Sequence, residues 1–336
     1  MNRFMTAAGC AALAWIVAQP AMAACSLSTQ PISVNLDPGL RPVATVKVNG
    51  KTAHFLVDST SAVNQISSKY ASGQKLPETA GAGSAPAIAK APKFEFGGAT
   101  LSDVPFAVSD HLAENDGVIG QTFLHSGDVE YELAITGPPA PPPVSGRGGT
   151  GGAPPPPTFT GTVRLAKAVG CEGANMAYWA KEGDVFYEAA LTPADHGAPF
   201  TQTEVVVNGV KLRALLATGK TYTTITEKAA AKAGVNTSDA SVTPLGDGST
   251  VKSWKAPFNS VIVGNEEIKN ESLEIDQTND DFYDVLIGAD FFSKHHVYVA
   301  NSQQKVYFTR TGAPGPVFNV HEQKKVPLGM LLNGSR

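Results

Sequence analysis

The sequence predicts an all-β protein made of two similar halves. Apolar residues alternate in short runs rich in Val, Ile, Phe and Thr, and Asn-Gly or Gly-Gly pairs interrupt the runs as hairpin turns do. A proline- and glycine-rich stretch at residues 137–157 divides the chain, and blocks of sequence recur in order on either side of it. Helix is predicted only in short pieces, at residues 122–126, 227–233 and 290–295.

Composition indicates a globular protein that is not a nucleic-acid binder. The 336 residues are 42% hydrophobic and 17% charged, which is enough apolar material for a buried core. The formal net charge is −4, and no basic patch or stripe is evident.

The N-terminus has the features of a secretory signal peptide at residues 1–23. Arg3 precedes an apolar run that is too short to span a membrane, and a small-x-small pattern ends at Ala23. Cys25 and Cys171 then remain as an even pair, which predicts a disulfide in an oxidising compartment. We therefore expect a periplasmic or secreted protein with no membrane span; the alternative is a lipoprotein anchored at Cys25.

The predicted organisation is an N-terminal lobe at 26–136, the linker at 137–157, a C-terminal lobe at 158–310 and a tail at 311–336. The repeat begins with Val-Lys-Val-Asn-Gly at 46–50 and Val-Val-Val-Asn-Gly at 205–209. Each Asn-Gly pair is a hairpin signal.

Two further pairs of blocks keep the same order. Asp58 in the first half and Ala217 in the second follow their Asn residues at the same distance. Residues 116–133, with Val-Ile-Gly, correspond to residues 284–301, with Leu-Ile-Gly. Three matching blocks in order indicate an internal duplication.

These motifs resemble those of the retropepsin-like aspartic peptidases, in a two-lobe bacterial form, and residues 286–308 carry the most specific likeness. The resemblance implies two small closed β-barrels related by a pseudo-two-fold axis. In each, an apolar-apolar-Asp-Thr/Ser-Gly loop lies beside an apolar-apolar-Gly strand. It also implies a pair of carboxylates sharing one proton, with no cofactor and no metal.

The chain departs from that pattern in both loops. Asp58 and Ser59 fit the first loop, but Thr60 stands where the family has glycine. The second loop keeps Thr218 and Gly219 after Ala217, which replaces the second acid and cannot be catalytic. Asp58 is therefore the one candidate catalytic residue, and its alternative role is a turn aspartate bound to nearby amides.

Other residues carry narrower expectations. Ser59 and Thr218 are expected to bridge the lobes, and Gly120 and Gly288 to let the crossing strands approach the loops. Lys220 either reaches Asp58 or is solvated. Each lobe has a predicted flap, at 80–91 and 245–255.

Trp254 in the second flap is a candidate for stacking on a ligand, or it packs under its own hairpin. Asp290 is predicted to cap a short helix. His295 and His296 are adjacent, so on a strand they point to opposite faces and make a poor metal pair.

Three functions remain open from the sequence. The first is a catalytically impaired homologue that binds a peptide or protein segment in the cleft between the lobes. The second is an active aspartic endopeptidase that uses Asp58, either alone or paired with a second Asp58 in a homodimer. The third is a structural or adaptor protein of the envelope. The sequence leaves the oligomeric state undetermined.

Overall fold

The computed structural model describes residues 25–112, 114–135, 159–194, 197–245, 252–278, 281–312 and 315–321. The predicted signal peptide, the linker and most of the tail lie outside these residues. The strands are β1 Ser26–Leu36, β2 Pro42–Val48, β3 Lys51–Val57, β4 Gln65–Ser67, β5 Glu78–Thr79, β6 Ile88–Phe96, β7 Ala99–Ser109, β8 Gly117–Ile119, β9 Asp128–Glu132, β10 Phe159–Val169, β11 Tyr187–Thr192, β12 Gln202–Val207, β13 Val210–Leu216, β14 Thr224–Thr226, β15 Thr243–Leu245, β16 Ser253–Val263, β17 Glu266–Asp276, β18 Val285–Ile287, β19 His295–Ala300 and β20 Lys305–Arg310. The helices are α1 Ser68–Gly73, α2 Gln121–Leu124, α3 Glu227–Lys232 and α4 Ala289–Phe292.

Each half closes into a barrel. In the first half the strands pair in the cycle β2, β3, β8, β4, β7, β6 and back to β2. In the second half β12, β13, β18, β14, β17 and β16 close in the same way. The all-β, two-barrel prediction is confirmed, and the two cycles match strand for strand.

A third sheet joins the barrels. Its strands run in the order β1, β10, β9, β19, β20, β11, and all of these pairs are antiparallel. The central pair is β9 from the first half and β19 from the second, so the pseudo-two-fold axis passes between them. β10 follows the linker in sequence but pairs with β1 and β9 of the first half.

The hairpin turns have the backbone that their sequence predicts. Asn49 and Gly50 have φ of 52° and 82°, and Asn208 and Gly209 have φ of 48° and 85°. Positive φ at both central residues is the turn that matches the twist of the flanking strands. The repeat therefore extends from the sequence to the backbone of each barrel's first hairpin.

The helices are short, and α1 was not predicted. α1 and α3 occupy equivalent places, and Ser67 and Thr226 cap them by accepting hydrogen bonds from the amides of Tyr70 and Ala229. α3 is rich in Ala, Lys and Glu, whereas α1 reads Ser-Lys-Tyr-Ala-Ser-Gly, which are mostly weaker helix formers. The cap and the barrel position, rather than propensity, determine α1.

Cys25 and Cys171 form the predicted disulfide, across 146 residues of sequence. The bond lies at the end of the β1–β10 pair, where Ser26 is opposite Val169. No helix in the described ranges is long and apolar enough to cross a membrane.

Replacing both Cys25 and Cys171 with Ser should lower the free energy of unfolding by about 5 kcal/mol, because the crosslink restricts the unfolded chain over a long loop. Denaturant titration of the variant and of the natural chain with and without reductant measures this. Reductant should weaken the natural chain and leave the variant unchanged. Equal stability of the oxidised natural chain and the variant would contradict the prediction.

Candidate active site

The two motif loops begin at equivalent strand ends. β3 ends at Val57 and pairs in parallel with β8, and β13 ends at Leu216 and pairs in parallel with β18. The next amide in each loop continues the ladder: Asp58 N–H donates to Ile119 O at 3.0 Å, and Ala217 N–H donates to Ile287 O at 2.8 Å. The backbone thus presents residues 58 and 217 in the same way from the two barrels.

Ser59 and Thr218 join the loops by a reciprocal set of hydrogen bonds, which we call the hydroxyl lock. The Ser59 hydroxyl donates to Leu216 O at 2.5 Å and accepts from the Thr218 amide at 3.0 Å. The Thr218 hydroxyl donates to Val57 O at 2.8 Å and accepts from the Ser59 amide at 3.0 Å. Both side chains are buried. The lock fixes the position of each loop by the backbone of the other.

Gly219 contacts the Asp58 carboxylate where the two motif loops meet, a region that we call the lobe junction. A Cβ on Gly219 would lie 2.2 Å from Asp58 Cγ and 2.5 Å from both carboxylate oxygens. The missing side chain of Gly219 is therefore the space that Asp58 occupies. Asp58 itself is partly exposed.

Thr60 holds the same carboxylate from its own loop. Its amide and its hydroxyl both donate to Asp58 Oδ1, at 2.8 Å and 2.6 Å. A glycine at this position would give only the first bond. Thr60 therefore restrains the orientation of Asp58 more than the usual family residue would.

The pseudo-two-fold symmetry predicts that the two departures from the family motif are coupled. The symmetry makes residue 60 the counterpart of Gly219 and residue 217 the counterpart of Asp58, and Gly219 leaves the room that Asp58 occupies. We therefore expect a carboxylate at 217 to meet the Cβ of Thr60, and Thr60 to be compatible with Ala217 for that reason.

Ala217 is enclosed by apolar side chains. It is fully buried in a small cluster with Leu215 and Leu286, against which Phe200 packs. Burial of an unpaired charge in such surroundings is costly. The surroundings of Ala217 are therefore apolar and buried, whereas the Asp58 side chain is partly exposed to solvent.

Lys220 lies near two acids other than Asp58. No ion pair joins Lys220 to Asp58 in the part of the chain that the structure describes. Burial raises the pKa of the carboxyl groups of Glu274 and Asp276, and the charge of Lys220 opposes this in both. Contact between Lys220 and Asp58, one of the two alternatives left by the sequence, therefore has no geometric support.

Gly120 and Gly288 are the points where the crossing strands come closest to the loops. A Cβ on Gly120 would lie 2.5 Å from Val63 O, and one on Gly288 would lie 2.6 Å from Tyr222 O. Any side chain at either position would displace loop backbone. The Ile-Gly pairs thus set how deeply each loop packs on its barrel.

Asp290 is not the N-cap residue of α4, which is Gly288, although its carboxylate accepts from the Phe291 amide in the first turn of the helix at 2.9 Å. Asp290 instead lies inside α4 and accepts from the Thr223 hydroxyl at 2.7 Å and the Asn319 amide at 2.9 Å. Burial raises the pKa of Asp290 to about 6, against the opposing effect of these hydrogen bonds. The residue ties the second loop and the tail segment 315–321 to the barrel.

Trp254 faces the core of its own barrel. It is partly buried against the hydrophobic core and lies opposite Pro244 and Ile275 in adjacent strands. The tip of the second predicted flap, residues 246–251, lies outside the described residues. In the first lobe the hairpin between β5 and β6 is described, and its tip at 80–87 is mostly exposed.

Two residues near the loops were not predicted from the sequence. The Gln121 side-chain amide donates to Ser59 O at 2.6 Å and approaches the Thr201 hydroxyl of the second half at 3.5 Å. Tyr131 is buried on β9, and its pKa is raised by burial and by the nearby charge of Asp58. The sequence did contain a signal for Gln121. A polar residue directly follows Val-Ile-Gly there, whereas the equivalent position in the second half is Ala289.

Asp116 and Asp284 each bind a backbone amide within their own barrel. Asp116 accepts from the His54 amide at 2.9 Å, and Asp284 accepts from the Arg213 amide at 3.0 Å, at equivalent places within separate barrels. No group of three or more His, Cys, Asp or Glu in the described ranges is arranged to hold a metal ion.

Gly219→Ala should lower the free energy of unfolding by about 1–3 kcal/mol, because the new methyl overlaps the Asp58 carboxylate. Made in an Asp58→Ala background, the same change should cost much less, since the clashing group is gone. Denaturant titration of the four chains gives the coupling energy. An equal cost in both backgrounds would show that the clash is with the backbone and not with Asp58.

Comparison with known proteins identifies both lobes. The family model described as "Aspartyl protease" matches residues 44–123, and the one described as "gag-polyprotein putative aspartyl protease" matches residues 203–294. No curated protein matches the sequence significantly. Among solved structures, the aspartic proteinase from Irpex lacteus matches with a TM-score of 0.50 at 11% identity, over 85% of this chain and 98% of that one. The chain is therefore a retropepsin-like aspartic peptidase homologue in which both lobes belong to one polypeptide.

Proposed function

We propose that this protein is exported, binds a peptide or an extended protein segment between its lobes, and is impaired in cutting it. The observation that carries the proposal is the lobe junction, where Asp58 faces Gly219 while Ala217 fills the equivalent place in the second loop. The family reaction needs two carboxylates about 3 Å apart that share one proton. By analogy with removal of one member of a catalytic set, the expected loss is on the order of 10⁴-fold or more.

The coupling of Thr60 and Ala217 supports loss of the dyad rather than a single accidental change. An isolated loss of the acid would leave glycine at position 60, and restoring the acid alone would then suffice. Here both residues that serve the second carboxylate have changed: the acid itself and the glycine that makes room for it. The residues that serve the hydroxyl lock remain.

An exposed hairpin in the first lobe supports the binding of an extended chain. The tip of this hairpin at 80–87 is mostly exposed, and an extended segment can add backbone hydrogen bonds along a strand edge. The disulfide between Cys25 and Cys171 supports an oxidising compartment, in agreement with the predicted signal peptide.

The homodimeric peptidase has weaker support. Two Asp58 loops from two chains could meet only if the hydroxyl lock within each chain opened. Opening it would leave buried amides and carbonyls of both loops without partners, which costs about 1–3 kcal/mol for each group. The envelope adaptor rests on the linker and the tail, which lie largely outside the described residues.

The test is a peptide library incubated with the purified natural chain between about pH 3 and pH 7, the range over which carboxylate catalysts operate. Mass spectrometry should find retained peptides that are intact. The double variant Thr60→Gly/Ala217→Asp should gain acid-dependent hydrolysis, because it restores both the acid and the room for it. Ala217→Asp alone should stay near the natural level, since Thr60 obstructs the new carboxylate.

Thr60→Gly alone is the matched control and should remain inactive. Hydrolysis by the natural chain that Asp58→Asn abolishes would contradict the proposal and support an active peptidase. Failure to retain any peptide would also contradict it. Full activity of Ala217→Asp without the second change would refute the coupling of the two positions.

A further inference from the structure

Two acidic side chains lie side by side on β17, on the face turned away from the barrel core. Glu274 and Asp276 alternate with the core residues Leu273 and Ile275, and each acid is 8% exposed. Asp276 is directly opposite Ser253 on β16, so the Ser253 side chain shares this face. We call Glu274, Asp276 and Ser253 the acidic subsite.

The acidic subsite contains polar atoms without partners. Glu274 Oε2, Asp276 Oδ1 and the Ser253 hydroxyl make no hydrogen bond, and Ser253 is only 5% exposed. Buried polar atoms nearly always find a partner in folded proteins. Three unpartnered oxygen atoms on one face, two of them from carboxylates, are suited to a group that brings several N–H donors.

The surrounding charges leave the acidic subsite with a negative surplus. Lys220 is the cation whose charge acts on both acids, although no ion pair within contact distance joins it to either. Hydrogen bonding by the His321 backbone and the charge of the His321 ring lower the pKa of Glu274, and the Thr224 side chain lowers the pKa of Asp276. Lys255 is opposite Glu274 on β16 but is exposed. One partly buried ammonium therefore faces two buried carboxyl groups.

The acidic subsite is close to the lobe junction. Lys220 directly follows Gly219, which contacts Asp58, and Lys220 is near both acids. Ser253 is the first residue of β16, at the base of the second predicted flap. A segment that crosses the junction would pass within reach of a side chain in the subsite.

We propose that the acidic subsite receives a Lys or Arg side chain of the bound peptide. This inference rests on the proposed function and adds a selectivity to it. An ammonium or guanidinium group supplies the three or more donors that the unpartnered oxygens lack, and hydrogen bonds between ionised partners are the stronger kind. A peptide without a basic residue leaves one oxygen of each carboxyl group without a partner.

The experiment compares peptides that differ at one position, with Lys or Arg against the neutral norleucine. Peptides retained by the natural chain should bind about tenfold or more tightly with the basic residue. Glu274→Gln/Asp276→Asn should remove this preference, so that the ratio of the affinities for the basic and neutral peptides falls to about one. Glu267→Gln, at an exposed position of the same strand, is the matched control and should have no effect.

Two further results are expected from the charges. Lys220→Met should enlarge the preference for a basic residue, because it removes the competing cation. Burial raises the pKa of both acids, so on acidification the preference should disappear at a higher pH than it would for exposed carboxylates. Binding measured across pH for the matched peptide pair tests this.

A direct probe separates the subsite from peptide binding. Titration with butylguanidinium should shift the side-chain carboxyl carbon resonances of Glu274 and Asp276 in the natural chain, and butanol should not. Absence of a shift would overturn the subsite whether or not peptides bind. A shift without any retained peptide would keep the subsite and reject the proposed function.

Two other results would also overturn the proposed role of the acidic subsite. Retained peptides with no basic preference would overturn the inference and leave the proposed function standing. The sequence continues beyond His321 with Lys324 and Lys325. The variant Lys324→Gln/Lys325→Gln removes both of these basic side chains. If only this variant prefers a basic peptide, the chain's own tail occupies the subsite in the natural protein. That result would overturn the assignment of the subsite to a separate peptide.

Discussion

The hydroxyl lock is the interaction on which the rest of the site depends. Each of its two hydroxyls donates to a carbonyl of the opposite loop and accepts from an amide of that loop, and no charge is involved. Because all of these groups are buried, separating the loops would leave several polar groups without partners. The lock therefore sets where Asp58, Ala217 and Gly219 lie relative to each other, and it does so without requiring a second acid.

This separation of structural from chemical roles explains which motif residues the chain has kept. Ser59 and Thr218 form the lock, and Gly219 leaves room for Asp58. Asp58 remains and is held by Thr60 through two hydrogen bonds. The positions that changed, 60 and 217, are the two that would accommodate a second carboxylate. The junction therefore keeps the residues that join the two barrels and has one carboxylate where the family motif has two.

Much of the fold could be predicted because the same structural signals occur in both halves of the sequence. The Asn-Gly turns, the alternating strands and the Ile-Gly pairs each occur in both halves, and the structure places them equivalently. α1 was missed because a cap at Ser67 and its place on the barrel, rather than helix propensity, produce it. The pairing of β10 with β1 and β9 was also missed, since nothing local in a strand specifies a partner far away in sequence.

The candidate site was less predictable than the fold. The residues of the two loops were found from the motif, but the expected coupling of Thr60 and Ala217 needed the pseudo-two-fold geometry. Tyr131 and the acidic subsite depend on which strands become neighbours, and the role of Asp290 depends on contacts with Thr223 and the tail. Such contacts join residues that are distant in sequence, where spacing carries no information.

The most direct test of the central claim is native-state amide hydrogen exchange at Ser59 and Thr218. If the lock holds the two lobes as one unit, these amides should exchange only through global unfolding, as slowly as those of Val57 and Leu216 in the adjoining strands. Exchange much faster than in those strands, while both barrels stay protected, would mean that the loops part readily. That result would contradict the account and reopen pairing of Asp58 between two chains.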